Sequence, residues 1–259
     1  MFKRLIAPAF AALLAVTAPL AAQTAAAPPT AEERARIEGM IRDYLLKNPE
    51  VLQEALVELE KRQAQAEDRA RASAFSANRE ALYRSPNQVV LGNPQGDITL
   101  VEFFDYNCGF CKRALPETME LLRSDTRLRV VLKDFPVLGQ GSMEAAQVAV
   151  ALKMQVTAPK YLEFHQKLLG GRGQANGVRA LEVAREVGAD MTRLQRDMQS
   201  PQVRDTLAEN MRLAELLRIN GTPTYVVGDE VVVGAVGLAK LRENLARARV
   251  ACASQSNMC

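Results

Sequence analysis

Residues 101–112 read VEFFDYNCGFCK and carry the clearest local structural pattern in the chain. An apolar run with one acid, Glu102, stops at a polar turn over residues 105–107, and a helical pattern begins at Cys108. Short continuous apolar runs bounded by turn residues are typical of buried strands. The stretch therefore predicts a buried strand that leads through a tight turn into a helix with two cysteines in its first turn.

The two cysteines of this stretch have the spacing of a redox pair. Cys108 lies at the start of the predicted helix, where unpaired backbone N–H groups and the helix dipole favour the thiolate form. Lys112 and Arg113 add positive charge nearby. Cys111 lies one turn later on the same face. Cys108 is therefore predicted to attack a substrate disulfide, and Cys111 to resolve the resulting mixed disulfide.

Other roles of a Cys-x-x-C pair have less support. A structural zinc site needs four ligands, yet the chain has one histidine, His165, to which we assign no role. The same shortage argues against a cysteine–histidine hydrolase. A structural disulfide and half of a metal site stay as alternatives, while the strand-to-helix junction favours the redox hypothesis. We predict no metal ligand set.

The first residues have the pattern of a secretory signal. Lys3 and Arg4 precede an apolar run at residues 5–16, and small residues offer cleavage after residue 22 or 27. The run is too short to span a bilayer. Residues 1–22 are therefore predicted to be a signal peptide, and the mature protein is expected in the periplasm, where thiol pairs cycle or stay bridged.

Composition and charge limit the classes of function. The chain has 259 residues, 48% of them hydrophobic and 24% charged, as expected for a soluble globular protein. Removing the two cations of the signal lowers the formal net charge from +3 to +1. So small a charge gives no support for a nucleic-acid partner, and none is predicted.

Residues 23–80 are predicted to form a helical segment and spacer. Thr30 and Glu33 form a capping-box pattern, Asn48-Pro49 marks a break, and both helices carry an apolar face. After Leu59 the sequence becomes polar. Two short helices bury too little surface to be stable alone. We expect a homo-oligomer through this segment, with docking on the chain's own domain as the alternative.

Residues 81–251 are predicted to form one α/β catalytic domain. A strand, a helix and a strand are followed by a long helical stretch over about residues 142–219, then by a hairpin and a last helix. This order is typical of a thioredoxin-like sheet with a helical insertion. Residues 252–259 form a tail in which Cys252 and Cys259 are expected to make a local structural disulfide.

The second half of the predicted site is Gly221-Thr222-Pro223-Thr224-Tyr225. Together with residues 101–111 and the helical insertion, it resembles the DsbA-like family of thioredoxin-fold proteins over about residues 89–249. The resemblance implies that Pro223 is cis and faces the reactive cysteine, and that Thr222 offers backbone hydrogen bonds to an extended substrate peptide.

The resemblance also assigns the remaining site residues. Gly109 and Phe110, between the cysteines, complete the predicted substrate-binding set with Thr222 and Pro223. Glu102 matches the buried acid of the family and is expected to pass protons to Cys111. An acid that reaches the solvent side of its strand is the alternative.

Three functions compete for the cysteine pair. The Gly-Phe dipeptide and the Thr before Pro223 resemble disulfide isomerases, and residues 37–62 are similar to the oligomerisation region of ScsC proteins. We therefore expect an oligomeric isomerase or reductase that acts on exported cysteine-containing proteins and is served by a membrane reductase. A DsbA-type oxidase served by a membrane oxidant ranks second, and Cu(I) binding at Cys108 and Cys111 third. No cofactor is expected beyond the redox-active disulfide.

Overall fold

The computed structural model describes residues 29–254. The chain divides into two compact units, Met1–Lys61 and Arg62–Cys259. The predicted signal peptide, residues 1–22, lies outside the described residues. Within the described part, no helix is both long enough and apolar enough to cross a bilayer.

The first unit contains helix α1, Ala31–Lys47, and the start of helix α2, Glu50–Tyr83. The Thr30 side chain accepts a hydrogen bond from Glu33 N, and the Glu33 carboxylate accepts from Thr30 N, which confirms the capping box. Asn48 ends α1 by donating from Nδ2 to the Tyr44 carbonyl. Large apolar side chains stay exposed on this unit, namely Ile37, Met40, Ile41, Tyr44, Leu46, Leu52, Leu56, Val57 and Leu59.

The second unit is built on a five-stranded sheet in the order β1-β3-β2-β4-β5. Strand β2 is parallel to β3 and antiparallel to β4, and all seven of its residues are buried. A central strand that is covered on both faces has a nearly continuous apolar sequence, which is why the apolar run that ends at Phe104 predicts it. The strands are β1 Val89–Gly92, β2 Ile98–Phe104, β3 Leu128–Asp134, β4 Thr224–Val227 and β5 Glu230–Val233.

Helices cover both faces of this sheet. Side chains of β2 alternate between two apolar clusters: Leu100 and Phe104 join one, Val101 and Phe103 the other. Five helices lie between β3 and β4 in sequence, so the predicted helical insertion is confirmed. The remaining helices are α3 Gly109–Ser124, α4 Gln140–Lys153, α5 Ala158–Leu169, α6 Gly177–Glu186, α7 Met191–Asp197, α8 Pro201–Leu216 and α9 Leu238–Ser254.

Two features of this unit go beyond the sequence prediction. Strand β1 was not predicted because four residues are too few to show a period, and it pairs antiparallel with β3. Helix α2 continues without a break through the polar spacer, and its later turns bury Phe75, Leu82 and Tyr83. These three side chains belong to the cluster on the α8 side of the sheet.

Candidate active site

Cys108 is the N-cap residue of α3, directly after the turn that follows β2. Its backbone N–H donates to the Asp105 carbonyl at 3.0 Å, and its Sγ accepts from Cys111 N at 3.4 Å. Both cysteines are free thiols in this structure. The first turn of α3 thus aims a backbone N–H at the sulfur, which is the arrangement that stabilises a thiolate.

The loop before β4 brings a distant segment to Cys108. The Thr222–Pro223 peptide bond is cis, as the resemblance implies. The Cys108 thiol donates to the Thr222 carbonyl over 3.1 Å. A carbonyl in this position also suits pairing with the backbone of an extended peptide. The structure therefore places the Thr222 carbonyl, which precedes the cis-proline Pro223, against the first cysteine.

Cys111 lies behind Cys108 and is fully buried. Burial is the main cause that raises its thiol pKa, and the negative charges of Glu102 and Cys108 raise it further. Hydrogen bonds from the backbone of Asp105 and the side chain of Thr222 act in the opposite direction. Cys111 is therefore held as a thiol and needs a base before it attacks a disulfide.

Glu102 is the candidate for that base, because its charge acts on the Cys111 thiol. Its carboxylate is buried, and burial raises its pKa from 4.5 to about 7, although a hydrogen bond from the Thr118 hydroxyl, 3.1 Å from Oε2, lowers it. The expectation of a buried acid, rather than one facing solvent, matches its 2% exposure. A carboxyl group with a pKa near neutrality can accept and return a proton at physiological pH.

A polar network fixes the turn that presents Cys108. The Asp105 carboxylate accepts from Asn107 N and the Ser142 hydroxyl at 2.7 Å on one oxygen, and from Val137 N and Leu138 N on the other. The Asn107 side chain pairs with both backbone groups of Ala175, each at 2.8 Å. The helical insertion is thereby bonded to the residue before the first cysteine.

The two side chains that follow Cys111 contact different neighbours. Lys112 Nζ donates to the carbonyls of Gly171 and Gly173 at 3.1 and 3.2 Å. The Arg113 guanidinium stacks over the ring of Phe110 at 4.3 Å, and that ring stays 57% exposed. Phe110 therefore presents an apolar surface beside the cysteines.

The structure brings seven of the predicted site residues into one region, at the β2–α3 junction or in the loop packed on it: Glu102, Cys108, Gly109, Phe110, Cys111, Thr222 and Pro223. Cys252 is disulfide-bonded, but its predicted partner Cys259 lies outside the described residues, so that pairing stays a prediction. His165 is buried, and burial lowers its pKa to about 3, consistent with a neutral packed side chain.

Sequence reasoning missed the residues that support the site. Thr118 lies seven residues after Cys111, two helical turns along the same face, and that spacing was the available signal. Asp105 and Asn107 stand inside the quoted stretch, yet their partners Ser142 and Ala175 are remote in sequence. Only the packed insertion reveals those bonds.

Sequence comparison identifies two segments of the chain. A family model described as "DSBA-like thioredoxin domain" matches residues 99–246, more than half of the chain. A second model, described as "Copper resistance protein ScsC N-terminal domain", matches residues 33–66.

Solved structures agree with this assignment. A thioredoxin-like oxidoreductase from Silicibacter pomeroyi is 47% identical, with 67% of this chain and 98% of that chain covered and a TM-score of 0.63. The thiol–disulfide exchange protein alpha-DsbA2 from Wolbachia pipientis is 26% identical, with 70% and 97% covered and a TM-score of 0.64. ScsC from Proteus mirabilis in a transitional conformation shares the fold, at 24% identity, 86% and 100% coverage and a TM-score of 0.63.

Curated relatives match over a shorter range. The Na(+)/H(+) antiporter NhaA 1 of Salinispora arenicola is 29% identical over 140 residues, which cover 53% of this chain and 21% of that protein. The chain thus spans about a fifth of the length of this relative. With the family model, the cysteine pair and the cis-proline loop taken together, the chain belongs to the DsbA-like thioredoxin family of thiol–disulfide oxidoreductases and carries an ScsC N-terminal domain ahead of the catalytic one.

Proposed function

We propose that the protein is a periplasmic, oligomeric disulfide isomerase or reductase. The observation that carries the proposal is the placement of the Cys108 sulfur, capped by Cys111 N–H and lying 3.1 Å from the Thr222 carbonyl beside Pro223. A thiol so placed meets the disulfide of a peptide that pairs with the loop backbone.

Exchange then proceeds in two displacements. The Cys108 thiolate attacks one sulfur of the substrate disulfide, forms a mixed disulfide and releases the other substrate sulfur as a thiolate. For reduction, Cys111 loses its proton to Glu102 and attacks Cys108, which releases the second substrate thiolate. For isomerisation, a different substrate thiolate attacks the mixed disulfide and regenerates Cys108.

The surface around Cys108 suits unfolded polypeptides. Phe110, Val137 and Leu138 are large apolar side chains that remain exposed. Val137 and Leu138 are fixed by their N–H groups to Asp105, whose carbonyl holds Cys108 N. An apolar rim at a reactive thiol favours chains whose own apolar residues are not yet buried.

The N-terminal helices support self-association. Nine large apolar side chains between Ile37 and Leu59 are 42–70% exposed within the described residues of the first unit. Residues 37, 40, 41 and 44 follow helical spacing and form one face of α1. Exposed apolar surface of this extent indicates an interface, and a second copy of the same segment supplies a complementary face.

The periplasmic assignment is supported by the sequence pattern and by relatives. A periplasmic thioredoxin-like protein from Salmonella enterica serovar Typhimurium is 26% identical, with a TM-score of 0.59 and coverage of 66% of this chain and 95% of that chain. Fusion of residues 1–28 to a reporter active only after export tests the predicted signal. A reporter that stays in the cytoplasm, and is therefore inactive, would contradict the predicted signal peptide.

Isomerase and oxidase differ in the redox state kept in the cell. An isomerase needs Cys108 reduced, so a membrane reductase is the expected partner, whereas an oxidase needs the disulfide and a membrane oxidant. The redox state can be measured by quenching cells with acid and alkylating free thiols with a maleimide that adds mass, so that reduced and oxidised protein separate on a gel. We expect mostly reduced protein, and a mostly oxidised pool would make the protein an oxidase.

The full chain and an interface variant test the oligomeric isomerase. We would replace two exposed apolar residues, Ile41→Glu with Leu56→Glu, and use Glu38→Ala with Glu54→Ala as the matched control on polar positions of the same helices. Sedimentation gives the oligomeric state, and refolding of a scrambled-disulfide substrate gives isomerase activity. We expect the Ile41→Glu, Leu56→Glu variant to become monomeric and to lose isomerase activity. The control variant should keep the oligomeric state and the activity of the wild type. Wild-type protein that only oxidises reduced substrates would overturn the isomerase proposal.

Copper binding stays as the alternative use of the same thiols. Within the described residues, no group of three His, Cys, Asp or Glu side chains is placed to hold one metal ion. Cu(I) would therefore rely on the two thiolates alone. Titration of the reduced protein with Cu(I) against a competing chelator, with Cys111→Ser as control, measures the affinity.

A further inference from the structure

Three cationic residues belong to the segments next to the exposed Gly-Phe dipeptide, and we call Lys112, Arg113 and Arg172 the cationic rim. The Lys112 backbone N–H donates to the Cys108 carbonyl at 3.0 Å, which places Lys112 one helical turn after the reactive cysteine. Its Nζ donates to two carbonyls of the loop at residues 171–173. Arg172 is the exposed middle residue of that loop. The rim thus joins the start of α3 to the helical insertion.

Arg113 lies over the dipeptide itself. Its guanidinium carbon is 4.3 Å from the centroid of the Phe110 ring, and its Nη1 is 3.8 Å from the position that a Cβ atom would take on Gly109. All three residues are exposed. A positive charge therefore stands at the surface directly beside the residue that follows Cys108.

The cationic rim is not neutralised by carboxylates of the chain. In the part of the chain that the structure describes, no ion pair joins any of its three members to an acid. The nearby acids have other partners: Asp105 accepts four hydrogen bonds, none of them from the rim, and Glu144 accepts two from residues of α4 and α6. Glu117, four residues after Arg113, keeps its Oε2 buried and does not pair with the guanidinium.

A surface of this kind favours one class of substrate segment. Charges at the edge of a binding surface act on the rate of encounter and on the choice of partner, over about 8 Å at physiological ionic strength. The Phe110 ring adds apolar surface at the same place. The complementary segment therefore carries apolar and acidic side chains on either side of its cysteine.

We propose that the cationic rim selects substrate disulfides whose cysteines are flanked by acidic residues. The inference rests on the proposed exchange reaction and names a substrate class for it. The Cys108 thiolate forms a bond to the substrate sulfur, the substrate S–S bond breaks, and the outgoing thiolate leaves with the electron pair. The rim makes and breaks no bond in this step. It holds the flanking carboxylates, and it offsets the repulsion between those carboxylates and the attacking thiolate.

Three peptides that differ only beside one cysteine test this selection. The cysteine is joined in a mixed disulfide to thionitrobenzoate and is flanked by two Asp, two Ser or two Lys residues. Attack by reduced full-length protein on the peptide sulfur releases coloured thionitrobenzoate, and stopped-flow absorbance gives the second-order rate constant. Each rate constant is divided by that of 2-mercaptoethanol with the same peptide, which removes the intrinsic effect of the flanking charges on the disulfide.

We expect the Asp peptide to react about three- to tenfold faster than the Ser peptide at an ionic strength of about 10 mM, and the Lys peptide more slowly than either. The Asp-to-Ser ratio should approach one at about 1 M salt, where charges are screened beyond about 3 Å. Any change in the reactivity of Cys108 itself cancels in this ratio.

Charge-neutral variants assign the selection to the rim. Arg113→Gln with Arg172→Gln should bring the Asp-to-Ser ratio close to one, whereas Arg113→Lys with Arg172→Lys should keep it. The matched control is Arg123→Gln with Arg127→Gln, which removes two exposed arginines at the other end of α3, about 15 Å along the helix from Arg113. This control should keep the wild-type ratio.

The outcomes separate the inference from the proposed function. A wild-type protein that releases thionitrobenzoate from none of the peptides contradicts the exchange reaction itself. A protein that reacts with all of them at an Asp-to-Ser ratio of one or less overturns the selection alone. A ratio that survives in the double Gln variant, or that falls equally in the double Lys variant or in the control, shows that the charges of the rim do not select the substrate and also overturns it.

Discussion

Replacing Glu102 by Gln should stabilise the protein, and the gain should depend on pH. The carboxyl group is 2% exposed and its pKa is raised to about 7 by burial, whereas the ordinary value is 4.5. A raised carboxyl pKa means that the folded state prefers the protonated form. Stability is therefore lost as pH rises from the unfolded pKa to the folded pKa, and the loss is constant above that window.

The magnitude follows from the width of this window. A shift from 4.5 to about 7 corresponds to about 3 kcal/mol at pH values above both, and to under about 1 kcal/mol near pH 5. Gln carries no charge and keeps an oxygen for the Thr118 hydroxyl. The free energy of unfolding of Glu102→Gln, relative to wild type, should thus rise by about 2 to 3 kcal/mol between pH 5 and 8.

Urea unfolding of both proteins under reducing conditions, at several pH values across this range, measures the difference. Glu120→Gln serves as control, because that carboxylate is only partly buried and bonds to Arg123 on the surface of the same helix. If the difference between Glu102→Gln and wild type does not change with pH, Glu102 is not a buried acid that ionises near neutrality. The assignment of Glu102 as the base for Cys111 would then be contradicted as well.

Three further predictions test the site and the fold. Cys111→Ser should leave the Cys108 mixed disulfide unresolved, so a covalent complex with substrate should accumulate on non-reducing gels, and Cys108→Ser should form none. Asn107→Ala should lower the free energy of unfolding by about 2 kcal/mol in urea, because both backbone groups of Ala175 lose their partner; an unchanged midpoint would show that the insertion is held by other contacts. Leu82→Ala should cost about 2 to 5 kcal/mol, since Leu82 is fully buried, and a loss below about 1 kcal/mol would mean that the end of α2 is not part of the core.

Local patterns determined the central part of the fold. Strand β2, the cysteine-bearing turn of α3 and the β4–β5 hairpin were predictable because each depends on neighbours in sequence: an apolar run, a helix start and the Gly228-Asp229 turn. The resemblance to the family could be recognised from the sequence for the same reason, since Cys108, Cys111 and the Thr222-Pro223 pair stand in short motifs. The four-residue strand β1 and the full length of α2 could not be predicted from the sequence. Pairing at the edge of the sheet determines the first, and burial in the tertiary structure determines the second.

The reacting groups could be identified from the sequence alone, because they stand in short local motifs. Which of their atoms come into contact depends on how the chain packs, because those contacts join residues far apart in the chain. The Cys108 sulfur meets the Thr222 carbonyl across more than a hundred residues, and Asn107 meets Ala175 only when the insertion packs. The proton affinity of Glu102 likewise depends on burial by α3 and β4, since exclusion of water is the largest of the causes that raise the pKa of its carboxyl group.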